Sequence, residues 1–279
     1  MVKVFLFKAF TDSKDQGNPA GIVLNEGLKE DEMLKIAKML GYSETTFIRK
    51  MDNLNYELRY FTPEVETNLC GHGTISAFKY MKIKENINGK VFMHTKAGKL
   101  NVIINEDKIF MQGAKAEIKD INIKENIILE ALGISQEQRD YSLPIKIASI
   151  GTPKIMIPLK NREILFNLKP SFEKLKEISK RTNSKGFYPF TFDTIDKRNL
   201  IHARQFNPLF GVNEDPITGV AAGALGEYLK SYWNKDLEEF SVEQGWIMNK
   251  KGIIYILNKN GSIYLGGNAI IFGEVEIDA

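Results

Sequence analysis

Apolar residues along this chain fall mostly into short runs between turn-forming residues, and only rarely into the three-to-four spacing of an amphipathic helix. Val2, Val4 and Leu6 alternate with Lys3, Phe5 and Phe7, which suits a strand buried on both faces and is too short for a helix. After the turn-rich stretch Asp12–Asn18 comes a second apolar run, Ala20–Leu24. The helix predicted next carries Met33, Ile36, Ala37 and Leu40 on one face, and Gly41 supplies its stop. Strands are predicted at Ser43–Arg49, Tyr56–Phe61, Val91–Thr95, Leu100–Asn105 and Lys108–Met111. Around Ala114–Glu125 the pattern turns polar and aperiodic, marking a crossover between a mostly β first lobe, 1–115, and a second lobe, 116–267. The second lobe repeats the style, with strands expected at Ile145–Ile150, Lys154–Leu159, Phe187–Phe192, Ile201–Phe206, Glu239–Glu243 and Ile253–Leu257. Asn260-Gly261 predicts a hairpin to the strand Ser262–Leu265.

No short repeat recurs, but two glycine-bearing helix starts match when Cys70–Met81 is laid on Thr218–Leu229. Gly71 then meets Gly219 and Tyr80 meets Tyr228. Each segment is a tight turn followed by small apolar residues with little charge, the composition of a helix buried on most sides. A helix N-terminus offers unpaired N–H groups and partial positive charge, so two such tips at one cleft would receive a carboxylate or enolate. The competing reading makes Gly71, Gly73 and Gly219 ordinary turn glycines.

Composition narrows the classes. With 43% hydrophobic and 26% charged residues in 279, the chain is an ordinary globular one, long enough for two lobes or one large domain. Its net charge of +3 comes from 38 basic and 35 acidic side chains that are interspersed, so nucleic acid is not an expected partner. The single cysteine excludes an internal disulfide, and with three histidines leaves too few ligands for a dedicated zinc site, so no metal is expected. No apolar stretch is long enough for a membrane span and residues 1–15 show no cleavage pattern, so a cytoplasmic protein is expected.

Individual residues leave alternatives. Glu44 lies in an otherwise uncharged strand pattern, where lost solvation would raise its pKa as a proton shuttle requires; the alternative is an edge glutamate facing water. Asp215 fits either a helix cap or a ligand-facing acid. His72 fits an oxyanion donor or a residue bonded to backbone. Cys70 at a helix start fits a base or nucleophile of lowered pKa, or a buried packing residue. Hydrolase elbows, Walker loops and dinucleotide fingerprints are absent, while His94, His202, Trp233 and Trp246 read as structural.

Several motifs together resemble the phenazine-biosynthesis PhzF-like isomerases, which share the diaminopimelate-epimerase fold. They are Gly17-Asn18-Pro19-Ala20-Gly21, Ser43-Glu44-Thr45-Thr46-Phe47, Arg59-Tyr60-Phe61-Thr62-Pro63, Leu69 to Thr74, Gly151-Thr152-Pro153, Arg204 to Pro208, Glu214 to Gly219, and Gln244-Gly245. The resemblance implies an α+β fold of two similar lobes, each a barrel-like, mostly antiparallel sheet around a central helix. It implies a site at the lobe interface, no metal or organic cofactor, a last strand (about 268–279) returning to the first lobe, and a homodimer. It also implies that Glu44 is the acid/base, that His72 and Asp215 line the site, and that Cys70, Gly71, Gly73, Thr218, Gly219 and Val220 contact substrate. Related epimerases oppose two cysteines; here the second position is Thr218, whose hydroxyl is no comparable base. Asn68 and Val220 stand where aspartate and serine are common. The expected function is a cofactor-independent isomerase shifting a proton between carbons of a small carboxylate-bearing substrate. The alternatives are a Cys70-dependent epimerase or a non-catalytic small-acid binder.

Overall fold

A computed structural model describes residues 1–278. The chain divides into two compact units, Met1–Ala114 with the segment from Leu265 onward, and Lys115–Tyr264.

In the first unit the order is β1 (Val2–Ala9), β2 (Asn18–Leu24), α1 (Glu30–Leu40), β3 (Thr45–Lys50), β4 (Asn55–Phe61), β5 (Glu66–Thr67), α2 (Gly71–Glu85), β6 (Gly89–Thr95), β7 (Gly98–Ile104) and β8 (Ile109–Gln112). The second unit runs β9 (Glu117–Lys119), α3 (Glu125–Leu132), β10 (Lys146–Ser149), β11 (Lys154–Pro158), α4 (Arg162–Phe166), α5 (Phe172–Thr182) and β12 (Phe187–Thr191). It continues through β13 (Ile201–Ala203), β14 (Gln205–Asn207), β15 (Val212–Asp215), α6 (Gly219–Tyr232), β16 (Glu239–Gln244), β17 (Gly252–Lys259) and β18 (Ser262–Gly267), and β19 (Ala269–Ile277) follows.

Strand pairing reveals a duplication. In the first unit β19, β1, β2, β3, β4, β6 and β7 lie side by side, antiparallel except for the parallel pairs β2–β3 and β4–β6. In the second, β9, β10, β11, β12, β13, β16 and β17 follow the same sequence of directions, with β11–β12 and β13–β16 parallel. Each parallel pair needs a crossover, and helices lie in all four: α1, α2 and α6 fall within β2–β3, β4–β6 and β13–β16, while α4 and α5 fall within β11–β12. Helices α2 and α6 therefore hold equivalent places, and both are buried over their first eight residues. Small side chains and glycines let sheet pack around them on most sides.

The amphipathic helices cover outer faces. Met33, Ile36 and Ala37 of α1 pack with Val4, Val23, Phe47 and Phe61, and Gly41 closes the helix at φ 70°. Ile128, Leu132, Leu165, Leu175 and Ile178 of α3–α5 pack with Ile155, Ile157 and Phe187. Two local expectations change. The strand predicted from Ser43 begins at Thr45, leaving Glu44 just ahead of β3. The run Ile201–Phe206 splits at Arg204, where the chain leaves β16 and takes β15 as its neighbour. No helix among the described residues is long and apolar enough to cross a membrane.

Candidate active site

In the first unit the tip of α2 lies against the start of β3. Gly73 makes this approach possible: a Cβ there would sit 2.2 Å from Thr46 Oγ1 and 3.1 Å from Cys70 Sγ. The contact sets His72, in the first turn of α2, beside Glu44, with His72 Nε2 3.5 Å from Glu44 Oε2. Ser43 Oγ is 3.4 Å from the same nitrogen. Cys70 is the N-cap of α2, and its Sγ accepts the Gly73 N–H at 3.3 Å while lying 3.4 Å from His72 Nδ1. Below it, the Cys70 carbonyl accepts the Thr74 hydroxyl at 2.7 Å, and Thr74 Oγ1 is 2.6 Å from the hydroxyl of Tyr60, whose pKa burial pushes up.

Exposure separates these groups. The Cys70 residue is 4% exposed and the His72 side chain 7%, whereas the Glu44 side chain keeps 24%. The carboxylate is thus the most exposed of the three groups. Glu44, Cys70 and His72 each present one ligand-capable atom, all within 4.8 Å of one another. Counting histidines and cysteines in the sequence had overlooked a carboxylate as third member of such a set.

The second unit has a matching tip. Thr218 is the N-cap of α6, but its side chain makes no cap bond; its hydroxyl instead donates to Asp215 Oδ2. Asp215 ends β15 and is therefore not the helix cap that sequence left open. Gln244, at the end of β16 and 1% exposed, ties the turn together. Its Nε2 donates to the Asp215 carbonyl at 3.0 Å, and its Oε1 accepts the Thr218 N–H at 3.2 Å and the Tyr188 hydroxyl at 3.1 Å. Burial, with Asp215 nearby, raises the Tyr188 pKa well above its ordinary value, keeping the phenol a donor. Gly219 is buried and Val220 is 7% exposed. Gln244 and Tyr188 were not among the sequence candidates, although Gln244 sits in one of the quoted motifs.

Three of the expected structural residues pack as such. His202 Nδ1 is 2.7 Å from Glu243 Oε2, and that carboxylate also accepts the N–H groups of Ile195 and Asp196. Trp246 packs edge-on to the His202 ring. His94 bonds Asn55 at 2.9 Å. A groove of roughly 740 Å³ on the first unit, lined by Met33, Arg49, Lys50, Glu57, Arg59 and Lys84, includes none of the candidate residues.

The family described as phenazine biosynthesis-like protein (PhzC-PhzF) matches residues 7–274. An uncharacterized isomerase of Bacillus subtilis is 38% identical over 287 residues, covering 99% of this chain and 98% of its own. The crystal structure of a PhzF-family phenazine biosynthesis protein from Bacillus anthracis superposes with TM-score 0.90 at 31% identity, covering 100% of this chain and 99% of that one. A probable proline racemase from Agrobacterium radiobacter has the same fold at TM-score 0.69 and 9% identity, covering 100% and 93%.

Proposed function

The chain belongs to the PhzC-PhzF family of phenazine biosynthesis-like proteins, and from that premise we propose that it is a metal-independent isomerase in which Glu44 moves a proton between carbons of a small carboxylate-bearing substrate. An isomerase or epimerase type of activity agrees with the family and with the relatives' names. The observation that carries the finer reading is the Glu44–His72 pair at the buried tip of α2, with the carboxylate the more exposed of the two.

A carboxylate can remove a proton from carbon next to an electron-withdrawing group and, once protonated, return it at another carbon. The charge that develops needs donors nearby; His72 and the tip of α2 at Gly71 and Gly73 are assigned that role, the Gly73 N–H being shared with the Cys70 sulfur it now meets. We assign Asp215, Thr218, Gly219 and Val220 to the same reaction, with the α6 tip holding the substrate carboxylate and Gln244 fixing the turn that presents it. The expected homodimer, the cytoplasmic location and a biosynthetic role belong to this proposal.

One observation favours a second reading. The Gly73 N–H bond and the neighbouring His72 both favour a Cys70 thiolate, so Cys70 could serve as the base of an epimerase. Against it, the sulfur is more buried than Glu44 and the matching N-cap is a threonine.

The test incubates the protein in heavy water with a panel of small β,γ-unsaturated and α-amino carboxylic acids, reading deuterium uptake at carbon by NMR. Glu44→Gln should lower uptake by about 10²–10⁴-fold, the usual contribution of a positioned acid/base, while Cys70→Ser should retain most of it. The reverse ranking establishes the epimerase reading, and uptake from no acid that binds establishes a binder.

A further inference from the structure

We propose that Glu44, Cys70 and His72 also form a binding site for one thiophilic divalent cation of the zinc class, and that its occupancy arrests the proton shuttle. The donor set is a thiolate, an imidazole and a carboxylate, the mixture found at zinc sites that keep a fourth position open.

The spacing fits one ion. Zinc–ligand bonds of about 2.0–2.3 Å at tetrahedral angles place neighbouring donor atoms roughly 3.3–3.6 Å apart. His72 Nε2 is 3.5 Å from Glu44 Oε2 and 3.9 Å from Cys70 Sγ, and the three donor atoms lie within 4.8 Å of one another, so side-chain rotation brings the set onto one ion. Two of the three side chains are nearly buried and held before any ion arrives. Cys70 Sγ takes the Gly73 N–H, the kind of outer bond that orients a metal ligand. His72 would bind through Nε2, and its Nδ1, now 3.4 Å from the sulfur, would turn away from it as the ring rotates toward the ion. Ser43 Oγ, now 3.4 Å from Nε2, would turn aside.

Binding involves no redox step. The Cys70 thiol gives its proton to solvent, His72 binds neutral and Glu44 binds as carboxylate, so two negative ligands neutralise the dication. Oxygen-seeking Mg²⁺ and Ca²⁺ gain little from sulfur and nitrogen and should be rejected. Coordination occupies the carboxylate electron pair that would take the substrate proton, which is why a bound ion stops turnover. The cation site rests on geometry alone; its inhibitory consequence rests on the isomerase reading.

The experiment titrates the full chain, stripped with chelator, with CoCl₂, ZnCl₂ and MgCl₂. Expected are one equivalent of Co²⁺ giving a thiolate-to-cobalt charge-transfer absorption, saturable Zn²⁺ heat in calorimetry, and none with Mg²⁺. Cys70→Ser should abolish the absorption, and Cys70→Ser and Glu44→Gln should each weaken Zn²⁺ binding at least tenfold while melting like the parent. Absence of a saturable Co²⁺ spectrum, or Zn²⁺ binding unchanged in a folded Cys70→Ser protein, overturns the site. One bound equivalent of Zn²⁺ should abolish deuterium uptake by the metal-free protein, and undiminished uptake overturns the arrest. The titrations contain no substrate, so their failure leaves the isomerase reading standing, and absent uptake overturns that reading without touching the cation site.

Discussion

The closeness of α2 to β3 is what sets His72 beside Glu44, and Gly73→Ala puts a number on it. The new methyl would lie 2.2 Å from Thr46 Oγ1, where ordinary contact begins at 3.4 Å, so something must move by about 1 Å. Thr46 cannot swing its hydroxyl away without cost, because it is β-branched and fully buried and its methyl would take the vacated place. Overpacking of this kind costs about 1–3 kcal/mol, and a shift of about 1 Å at a reacting geometry can cost roughly 10²-fold in rate. The cause is isolated by a double-mutant cycle with Thr46→Ala. That hydroxyl is buried with no hydrogen-bond partner among the described residues, and without it the nearest Thr46 atom would be its Cβ at 3.5 Å. Urea unfolding should therefore show Gly73→Ala costing about 1–3 kcal/mol in the parent and under about 1 kcal/mol beside Thr46→Ala, a coupling within the range seen for touching residues. Equal cost in both backgrounds would show that the Gly73–Thr46 contact does not position the helix tip.

The buried Glu243 carboxylate is opposed by desolvation, yet the bonds from His202, Ile195, Asp196 and Asn199 outweigh burial and hold its pKa below the usual carboxylate value. Its stabilising contribution is then complete above the unfolded pKa of about 4.3 and is lost as pH falls below it through the lower folded value. Glu243→Gln should cost about 3–5 kcal/mol at neutral pH in urea unfolding and flatten the acid limb of the stability profile. Gly245→Ala should cost more than about 2 kcal/mol, because φ is +94° and the Cβ would meet the Lys250 carbonyl at 2.1 Å, atoms that cannot give way. Asp215→Asn keeps an acceptor for the Thr218 hydroxyl, so it should melt close to the parent while lowering deuterium uptake by about 10²-fold; unchanged uptake would remove Asp215 from the proposed reaction.

What was legible in the sequence was local. Gly41 ends α1 in the left-handed region, and Asn260-Gly261 makes its turn with φ of 51° and 72°, because both choices depend on backbone sterics within a few residues. The match of Cys70 with Thr218 was also legible, since helices that must be buried all round have little freedom in composition, and both residues prove to be N-caps. Short helices were lost: α3–α5 run 8, 5 and 11 residues, and their apolar faces acquire meaning only against Ile155, Ile157 and Phe187 across the sheet. Glu44 read as a strand residue because its flanks are uncharged, whereas the ladder starts one residue later, where Thr45 finds Phe61 as partner. Gln244 and the Glu44–Cys70–His72 grouping depend on contacts between distant segments, which no spacing along the chain announces.

The proton transfer itself can be watched at a single carbon. An acid that takes up deuterium with this protein is prepared with deuterium at the carbon that loses its hydrogen, and loss of that label in ordinary water is followed for the parent and for Glu44→Gln at neutral pH. The parent should release the label with turnover, and Glu44→Gln should slow release by about 10²–10⁴-fold while binding the acid with similar affinity. Release at the parental rate from a folded, ligand-binding Glu44→Gln protein would contradict the assignment of Glu44 as the group that moves the proton.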